Sequence, residues 1–174
     1  MSLTIYIGIV SMNIITANTS HISHIALLFD AYRVFYQQAT DLKGATDFIS
    51  NNLEHGQSTI FLAQDDKGES LGFVQLYPSW ESVTMSKRWV LYDLYVCPKG
   101  RKQGIATLLM NRAKRLAQAT QAKYITLETA TDNKNAQALY ESLGYIQDNE
   151  FLTYSLEIDS LEVDSSEVDS LEIE

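Results

Sequence analysis

Apolar residues recur at steps of three and four in several segments, the spacing that puts side chains on one face of a helix. The clearest segment is 22–36, where Ile22, Ile25 and Phe29 belong to the pattern. Three more helices are predicted over residues 42–53, 104–120 and 135–143. The last of them stops at Gly144, and glycine is the residue type that most often follows a helix. The pattern therefore predicts about four helices.

Shorter runs rich in Val, Ile, Thr and aromatic residues predict strands between and after these helices. Residues 58–63 and 71–77 form a predicted hairpin, joined by the turn-forming sequence Asp-Asp-Lys-Gly at 65–68. The other predicted strands are 12–16, 89–96, 124–127, 145–147 and 151–156. Six to seven strands that alternate with helices predict an α/β (α+β) fold built on a mixed sheet.

Charge divides the chain of 174 residues into a body and a tail. The formal net charge is −9, but residues 157–174 hold eight acidic residues and no Lys or Arg, which leaves about −1 for residues 1–156. The tail continues a pentapeptide repeat, SLEID-SLEVD-SSEVD-SLEIE, over 155–174. A period of five matches neither a strand nor a helix. We expect one domain over 1–156 and an acidic tail over 157–174 that is either solvated or added as a strand to a sheet edge or a partner subunit.

Several classes of protein are excluded by composition. No stretch reaches the roughly 18 consecutive apolar residues of a membrane span, and residues 1–10, although apolar, lack the positive charge of a signal peptide. We expect residues 1–10 to form an extra strand or a loose extension. The nearly neutral body argues against a nucleic-acid footprint. Cys97 is the single cysteine, which favours a cytoplasmic location. The three histidines have no metal-ligand spacing, so no metal is predicted.

The strongest local signal is a predicted strand over 89–96, followed by a loop and a helix that begins at Gly104. The first amides of a helix have no partner inside it, and together with the positive end of the helix they attract phosphate groups. Lys99, Arg101 and Lys102 add positive charge to the same loop. Neither the Gly-Lys-Ser/Thr of a P-loop nor a Gly-x-Gly-x-x-Gly fingerprint is present. A phosphate site and a plain structural turn both remain open.

Two motifs carry a family resemblance. Arg101-x-x-Gly104-x-Ala106, after a strand that ends in Val96 and Pro98, resembles the acyl-CoA pyrophosphate loop of the GNAT superfamily of N-acetyltransferases. The second half of that family's pattern follows at the expected distance, in Asn133, Ala136, Tyr140 and Gly144-Tyr145. The resemblance covers roughly 71–156. It implies a mixed, mostly antiparallel sheet, acetyl-CoA as co-substrate and a homodimer, a common state among relatives.

The resemblance also implies how CoA is held. The pantetheine arm would pair with the backbone of Leu94, Tyr95 and Val96, where an amide would polarise the thioester carbonyl. The residues around the pyrophosphate would be Arg101, Lys102, Gln103, Gly104, Ile105, Ala106 and Thr107. Asn133 would contact the arm, although its position also fits a helix N-cap. Ala136 lies one turn before Tyr140 and would leave a channel for the arm.

The chemistry needs a proton donor and a proton acceptor. CoA leaves as a thiolate, and a phenol is close enough in pKa to protonate it, so Tyr140 is the expected general acid; packing under the Gly144 turn is the alternative. Many relatives have a glutamate where this chain has Tyr92. Asp93 is the neighbouring candidate for base or ammonium anchor, although strand alternation points it to the opposite face, and Glu128 is a second.

The acceptor pocket is expected between the first helices and the hairpin. Its candidate residues are Tyr32, Tyr36, Gln75, Tyr77, Trp80, Tyr92 and Glu128. Such an aromatic stripe also fits an ordinary core. We expect a direct transfer of the acetyl group to a primary amine of a small molecule in a ternary complex. Acetylation of a protein lysine or N-terminus, and a non-catalytic acyl-CoA sensor, are the alternatives.

Overall fold

The computed structural model describes residues 12–158. The elements in chain order are β1 (Asn13–Thr16), α1 (Ile22–Phe35), α2 (Leu42–Glu54), β2 (Thr59–Gln64), β3 (Ser70–Glu81), β4 (Ser86–Val96), α3 (Ile105–Ala119), β5 (Tyr124–Leu127) and α4 (Lys134–Ser142). The predicted helices and the first five predicted strands are confirmed. The apolar N-terminal residues 1–10 and the repeat from 159 onward lie outside the described residues.

One sheet with the order β1-β2-β3-β4-β5 forms the centre of the fold. The pairs from β1 to β4 are antiparallel, whereas β4 and β5 are parallel. The predicted mixed, mostly antiparallel sheet is therefore confirmed. The described residues contain five strands, and the strands predicted over 145–147 and 151–156 are wrong. Both segments are irregular, because a strand needs a hydrogen-bonded neighbour and these have none in the described part of the chain.

The β3–β4 hairpin is longer than the sequence pattern predicts. Its pairing runs from Gly72 opposite Val96 to Glu81 opposite Ser86. Residues 78–88, which lie between two of the predicted strands, are therefore mostly paired strand. A register shift lies between the pair Gln75–Asp93 and the pair Leu76–Leu91, so Tyr92 is an extra residue on β4, a β-bulge.

Helices cover the two faces of the sheet. The face toward α1 and α2 buries Ile25, Ile49, Leu62, Phe73 and Tyr95, among others. The face toward α3 buries a second cluster, including Phe61, Val74, Leu76, Leu91, Ile105 and Leu109. Leu139, Tyr140 and Leu143 of α4 pack against this second cluster. The carboxyl end of β4 therefore lies between α1 on one side and α3 with α4 on the other.

Candidate active site

Strand β4 continues well beyond its pairing with β5. The two strands pair only from Arg88 opposite Tyr124 to Leu91 opposite Leu127, whereas β4 extends to Val96. Within residues 12–158 the backbone of 92–96 therefore has no strand neighbour on the β5 side. The slot left there exposes N–H and C=O groups that an extended, amide-containing ligand can pair with. Leu94, Tyr95 and Val96, the predicted partners of the pantetheine arm, belong to this stretch.

The turn after β4 leads into α3 through two left-handed residues. Lys102 has φ 60° and Gly104 has φ 76°, and Gly104 occupies the N-cap, so α3 begins one residue later than predicted. The first amide bonded back to the turn is that of Leu108, which donates to the Gly104 carbonyl over 3.1 Å. The earlier amides of Ile105, Ala106 and Thr107 have no carbonyl one turn before them in the helix. A Cβ at Gly104 would meet no atom within 4 Å, so the space above it is open.

Two polar side chains of this turn, those of Arg101 and Gln103, bond back to nearby backbone carbonyls. The Arg101 Nε donates to the Val96 carbonyl over 3.1 Å, and its guanidinium lies 5.9 Å from the centre of the Phe35 ring. The Gln103 Nε2 donates to the Lys99 carbonyl over 2.8 Å. Arg101 therefore joins α1, the end of β4 and the turn, and it holds the start of α3 against the slot.

Asp93 is a buried carboxyl at the bulge, on the face toward α1. Only 8% of its surface is exposed, and this burial raises its pKa to about 6, a rise that the neighbouring Tyr32 hydroxyl partly opposes. The Tyr32 hydroxyl donates to the Tyr92 carbonyl over 3.3 Å. Burial, and after it the charge of Asp93, raises the pKa of Tyr32 in turn. A carboxyl that titrates near pH 6 is suited to accept protons at neutral pH.

A buried polar network lies beside Asp93. Gln75, its partner across the hairpin, is fully buried. The Gln75 Nε2 and the Asn52 Nδ2 both donate to the Tyr77 hydroxyl, the latter over 3.0 Å. Burial, and after it the charge of Asp93, raises the pKa of Tyr77 to about 12. The Gln75 Oε1 is buried without a hydrogen-bond partner among the described residues.

Asn52 is a site residue that the sequence analysis missed. It lies on the apolar face of α2, three residues after the buried Ile49, and is 2% exposed. A polar residue at an apolar position of an amphipathic helix is the signal that could have identified it, since a buried amide requires partners.

Tyr140 approaches the same region from α4. Its ring packs 6.0 Å from that of Tyr145, and its pKa is raised first by burial and then by Tyr36. Tyr140 also contributes to the raised pKa of Tyr32. Tyr140 packs against the same cluster as Leu94 and Val96, so α4 places its phenol near the end of β4. A phenol with a raised pKa stays protonated at neutral pH and can donate its proton.

The structural explanation considered for Asn133 is confirmed. Its Oδ1 accepts a hydrogen bond from the Ala136 amide over 3.2 Å, and Asn133 is the N-cap of α4. Ala136 is half-buried on the same helix face as Tyr140.

The remaining residues predicted for the acceptor pocket lie at different distances from Asp93. Tyr92 is 65% exposed and packs its ring edgewise on Tyr77, with 5.5 Å between centroids. Glu128 is exposed and follows Leu127 directly, where the pairing of β5 with β4 ends. Trp80 lies five residues beyond Gln75 on β3, is 66% exposed and pairs with Lys87. At about 3.3 Å per residue it is about 16 Å from Gln75 along the strand, so the structure does not bring it to Asp93.

Two further findings concern residues 12–158 alone. They contain no group of three or more His, Cys, Asp or Glu side chains placed to hold a metal ion. None of their helices has both the length and the apolar character needed to cross a membrane.

Comparison with known proteins agrees with this geometry. The model of the acetyltransferase (GNAT) family matches residues 25–145. The uncharacterized N-acetyltransferase YhfO of Bacillus subtilis (strain 168) is 44% identical over 147 residues, which cover 84% of this chain and 98% of that protein. A crystal structure of a probable acetyltransferase is 37% identical, with a TM-score of 0.81 over 86% of this chain and 99% of that one.

A more distant structure shares the fold. An aminoglycoside N-acetyltransferase solved in complex with CoA has a TM-score of 0.73 at 19% identity, over 86% of this chain and 97% of that one. The family match contains the slot beside β4, the turn into α3 and Tyr140, the three features on which the predicted acyl-CoA site depends. With a model match over more than half of its length and a relative matched almost end to end, the chain belongs to the GNAT family and is an acetyl-transferring enzyme.

Proposed function

We propose that this enzyme transfers the acetyl group of acetyl-CoA to a primary amine of a small molecule by direct attack in a ternary complex. The observation that carries the proposal is the convergence of three features at the end of β4. These are a strand edge that is unpaired within residues 12–158, an open helix N-terminus, and the buried carboxyl of Asp93 beside Tyr32 and Tyr77. Each feature meets one need of the reaction.

The turn into α3 fits the diphosphate of CoA. The unbonded amides of Ile105, Ala106 and Thr107 point out of the helix start, and the open space over Gly104 leaves room for phosphate oxygens. Enzymes of the GNAT family use acetyl-CoA, whose thioester supplies an activated acyl group. The backbone of Leu94, Tyr95 and Val96 would hold the pantetheine arm, and an amide of this stretch would stabilise the negative charge that develops on the thioester oxygen.

Asp93 serves the attacking amine. An alkylammonium near pKa 10 is almost fully protonated at pH 7, and it must lose a proton before it attacks. The Asp93 carboxylate holds the ammonium beside Tyr32 and takes the proton whose loss frees the amine. The second proton, which the nitrogen loses as the C–N bond forms, passes to water. Its pKa of about 6 makes it a stronger base than an exposed carboxylate while it remains ionised at neutral pH. Glu128, at the mouth of the slot, remains the second candidate for this role.

Tyr140 serves the leaving group. As the C–S bond breaks, the phenol donates its proton to the departing sulfur, and exchange with solvent restores both Tyr140 and Asp93. Because burial raises the pKa of Tyr140, the phenol is still protonated when the sulfur leaves. The products are the acetylated amine and CoA thiol.

A small acceptor is favoured by the surroundings of Asp93. The carboxyl is enclosed by Tyr32 from α1 and by the network of Gln75, Tyr77 and Asn52, an arrangement suited to one ammonium group. Aminoglycoside N-acetyltransferases among proteins of the same fold are consistent with a small acceptor.

Steady-state release of CoA thiol tests the proposal. The purified enzyme is assayed with acetyl-CoA and a panel of monoamines, diamines, aminoglycosides, amino acids and peptides with free lysine or N-termini. We expect turnover on a small primary amine that is saturable in both substrates. Turnover restricted to peptides would contradict the acceptor class, and tight CoA binding without turnover on any compound would favour a sensor.

A further inference from the structure

Positive charge is concentrated in one part of the chain. Residues 82–127, which run from the turn after β3 through β4 and α3 to the end of β5, contain nine of the thirteen Lys and Arg residues and a single acid, Asp93. Residues 1–81 contain eight acids and three bases, and residues 128–156 contain five acids and one base. The nearly neutral body therefore consists of a strongly basic part, with a formal charge of +8, between two acidic parts.

A cleft lies where the far end of the β3–β4 hairpin meets the end of α3. Its lining includes Pro78, Trp80, Lys87, Trp89 and Thr120, and its volume is about 210 Å³. The Trp89 Nε1 donates to the Thr120 Oγ1 over 2.9 Å, which fixes this ring against the end of α3. Trp80 is 66% exposed, and the Lys87 ammonium lies 5.6 Å from the centre of its ring. The cleft thus presents one fixed and one exposed indole ring.

Two lysines at this cleft have no acidic partner among residues 12–158. The Lys123 amide donates to the Lys87 carbonyl over 2.8 Å, so Lys123 lies beside Lys87. None of the ion pairs formed within the described range includes either residue. Arg88, in contrast, lies 3.6 Å from Glu81. An anionic group at the cleft would therefore meet two ammonium groups that the described acids leave available.

The size and composition of the cleft suit a peptide segment with apolar and acidic side chains. Pockets for small-molecule ligands usually measure roughly 300–1,000 Å³, so a volume of about 210 Å³ is better suited to single aliphatic side chains. In the acidic repeat, Leu161 and Val163 alternate with Glu162 and Asp164. Neighbouring side chains of an extended chain point to opposite sides. The apolar ones can therefore lie against the indole rings while the carboxylates reach the lysine ammonium groups, which long stems carry to the rim.

The C-terminal repeat is long enough to reach the cleft of its own chain. The described residues end at Ile158, and residues 159–174 follow. Sixteen residues span up to about 50 Å when extended, whereas a domain of about 150 residues is about 40 Å across. A segment tethered in this way has an effective concentration in the millimolar range at surfaces within its reach. Weak contacts are then sufficient to hold it.

We propose that residues 159–174 bind in the cleft of their own chain. Leu and Val side chains of the repeat lie against Trp80 and Trp89, and its carboxylates lie beside Lys87 and Lys123. The acidic repeat thereby neutralises part of the basic surface between the hairpin and α3. Because the contacts between charges are exposed, salt weakens this binding. The binding of the repeat does not depend on the proposed acceptor.

Tryptophan fluorescence of the full chain is the first test, because the chain has two tryptophans and both line the cleft. The variant E162Q/D164N/E167Q is expected to shift the emission to longer wavelength and to increase quenching by acrylamide, with unchanged far-UV circular dichroism. About 0.5 M NaCl is expected to have the same effect on the unmodified chain. The matched control E54Q/D66N/E141Q removes three exposed acids from the body and is expected to leave the emission unchanged. Identical emission and quenching in both variants and the unmodified chain would overturn the proposal.

Carbodiimide crosslinking locates the repeat, because this reagent joins a lysine only to a carboxylate in contact with it. An equal mixture of unlabelled and heavy-nitrogen-labelled full chains is treated, digested and analysed by mass spectrometry. Links from Lys87 or Lys123 to acids of 159–174 are expected, each within one isotopic form.

Three other outcomes would each overturn the proposal. Equal yields at Lys67, which lies in the turn before β3 at the opposite end of that strand from Trp80, would mean a solvated repeat. Links between the two isotopic forms would place the repeat on a second copy of the chain. Links confined to Lys99 or Lys102 would place it at the turn before α3.

Discussion

Replacement of Asp93 by Asn is expected to stabilise the enzyme at neutral pH while it disables catalysis. The carboxyl is 8% exposed, and burial raises its pKa from 3.8 to about 6. The ionised form of Asp93 therefore lowers the free energy of unfolding, because a buried charge is less stable than a hydrated one. An Asn side chain has nearly the same shape and carries no charge, so the variant lacks that cost.

The magnitude and its sign follow from linkage. Between pH 3.8 and about 6 the folded chain binds more protons at Asp93 than the unfolded chain does, so this group lowers the stability as pH rises through that interval. A shift of about two pKa units corresponds to about 3 kcal/mol in the free energy of unfolding. Above pH 6 the ionised Asp93 lowers the stability of the folded chain by this full amount. Asp93→Asn is therefore expected to raise the free energy of unfolding at pH 7 by up to about 3 kcal/mol, and to leave it nearly unchanged near pH 4.

Urea denaturation at a series of pH values from 4 to 8 measures this difference. The difference between variant and unmodified chain is expected to grow between pH 4 and pH 6 and then to level off. Asp66→Asn is the matched control, because it makes the same chemical change at an exposed carboxyl in the turn between β2 and β3. A variant less stable than the unmodified chain at pH 7, or a difference without pH dependence, would refute the reasoning.

The same variant is expected to lose activity. Without the base, kcat/KM for the acceptor should fall by about 10²–10⁴-fold. In the unmodified enzyme kcat/KM is expected to rise with pH through an apparent pKa near 6, and this limb should be absent from the residual activity of Asp93→Asn. Full activity in Asp93→Asn would mean that another group is the base, and Glu128 would then be the first residue to replace.

Three further changes test the rest of the site. Tyr140→Phe is expected to lower kcat by about 10²–10⁴-fold with acetyl-CoA affinity by calorimetry nearly unchanged, and parallel loss of both would mean a structural role. Gly104→Val is expected to abolish CoA binding, because a β-branched residue is strained at φ 76°; retained affinity would argue against the turn as the phosphate site. Tyr77→Phe leaves the buried Asn52 and Gln75 donors without their acceptor and is expected to cost about 1–3 kcal/mol in urea denaturation, whereas an unchanged midpoint would mean that the network is not needed for stability.

Much of the fold could be predicted because its signals are local. The helix over 22–36 shows its period directly in the sequence, and α1 ends at Phe35, one residue earlier. The strand at 124–127 has the bounds that were predicted. The residues 151–156 show the limit of this logic. Their alternation is a strand pattern, but a strand also needs an edge to pair with, and a local pattern does not say where that edge is.

The surroundings of Asp93 could not be predicted, since they come from distant parts of the chain. Tyr32 is supplied by α1, Asn52 by α2 and Gln75 by β3. The pKa of Asp93 depends on how closely these elements exclude water, which no spacing in the sequence encodes. The Asn133 N-cap, by contrast, depends on four successive residues, and it was foreseen as an alternative.

Because Tyr92 is an extra residue in β4, the alternation of side chains between the two faces of the sheet shifts by one residue at this point. Leu91 before it and Leu94 after it both face the cluster toward α3, which strict alternation forbids. Deletion of this one residue would restore strict alternation, with Leu91 and Leu94 still on the face toward α3 and Asp93 still opposite Gln75 on the face toward α1. The bulge therefore does not select the face on which the carboxyl lies. What the extra residue adds is a bend in β4 directly after Leu91, the last residue of β4 that pairs with β5. A chain without Tyr92 would keep its carboxyl beside Tyr32 but would lose the bend at the point where the two parallel strands part.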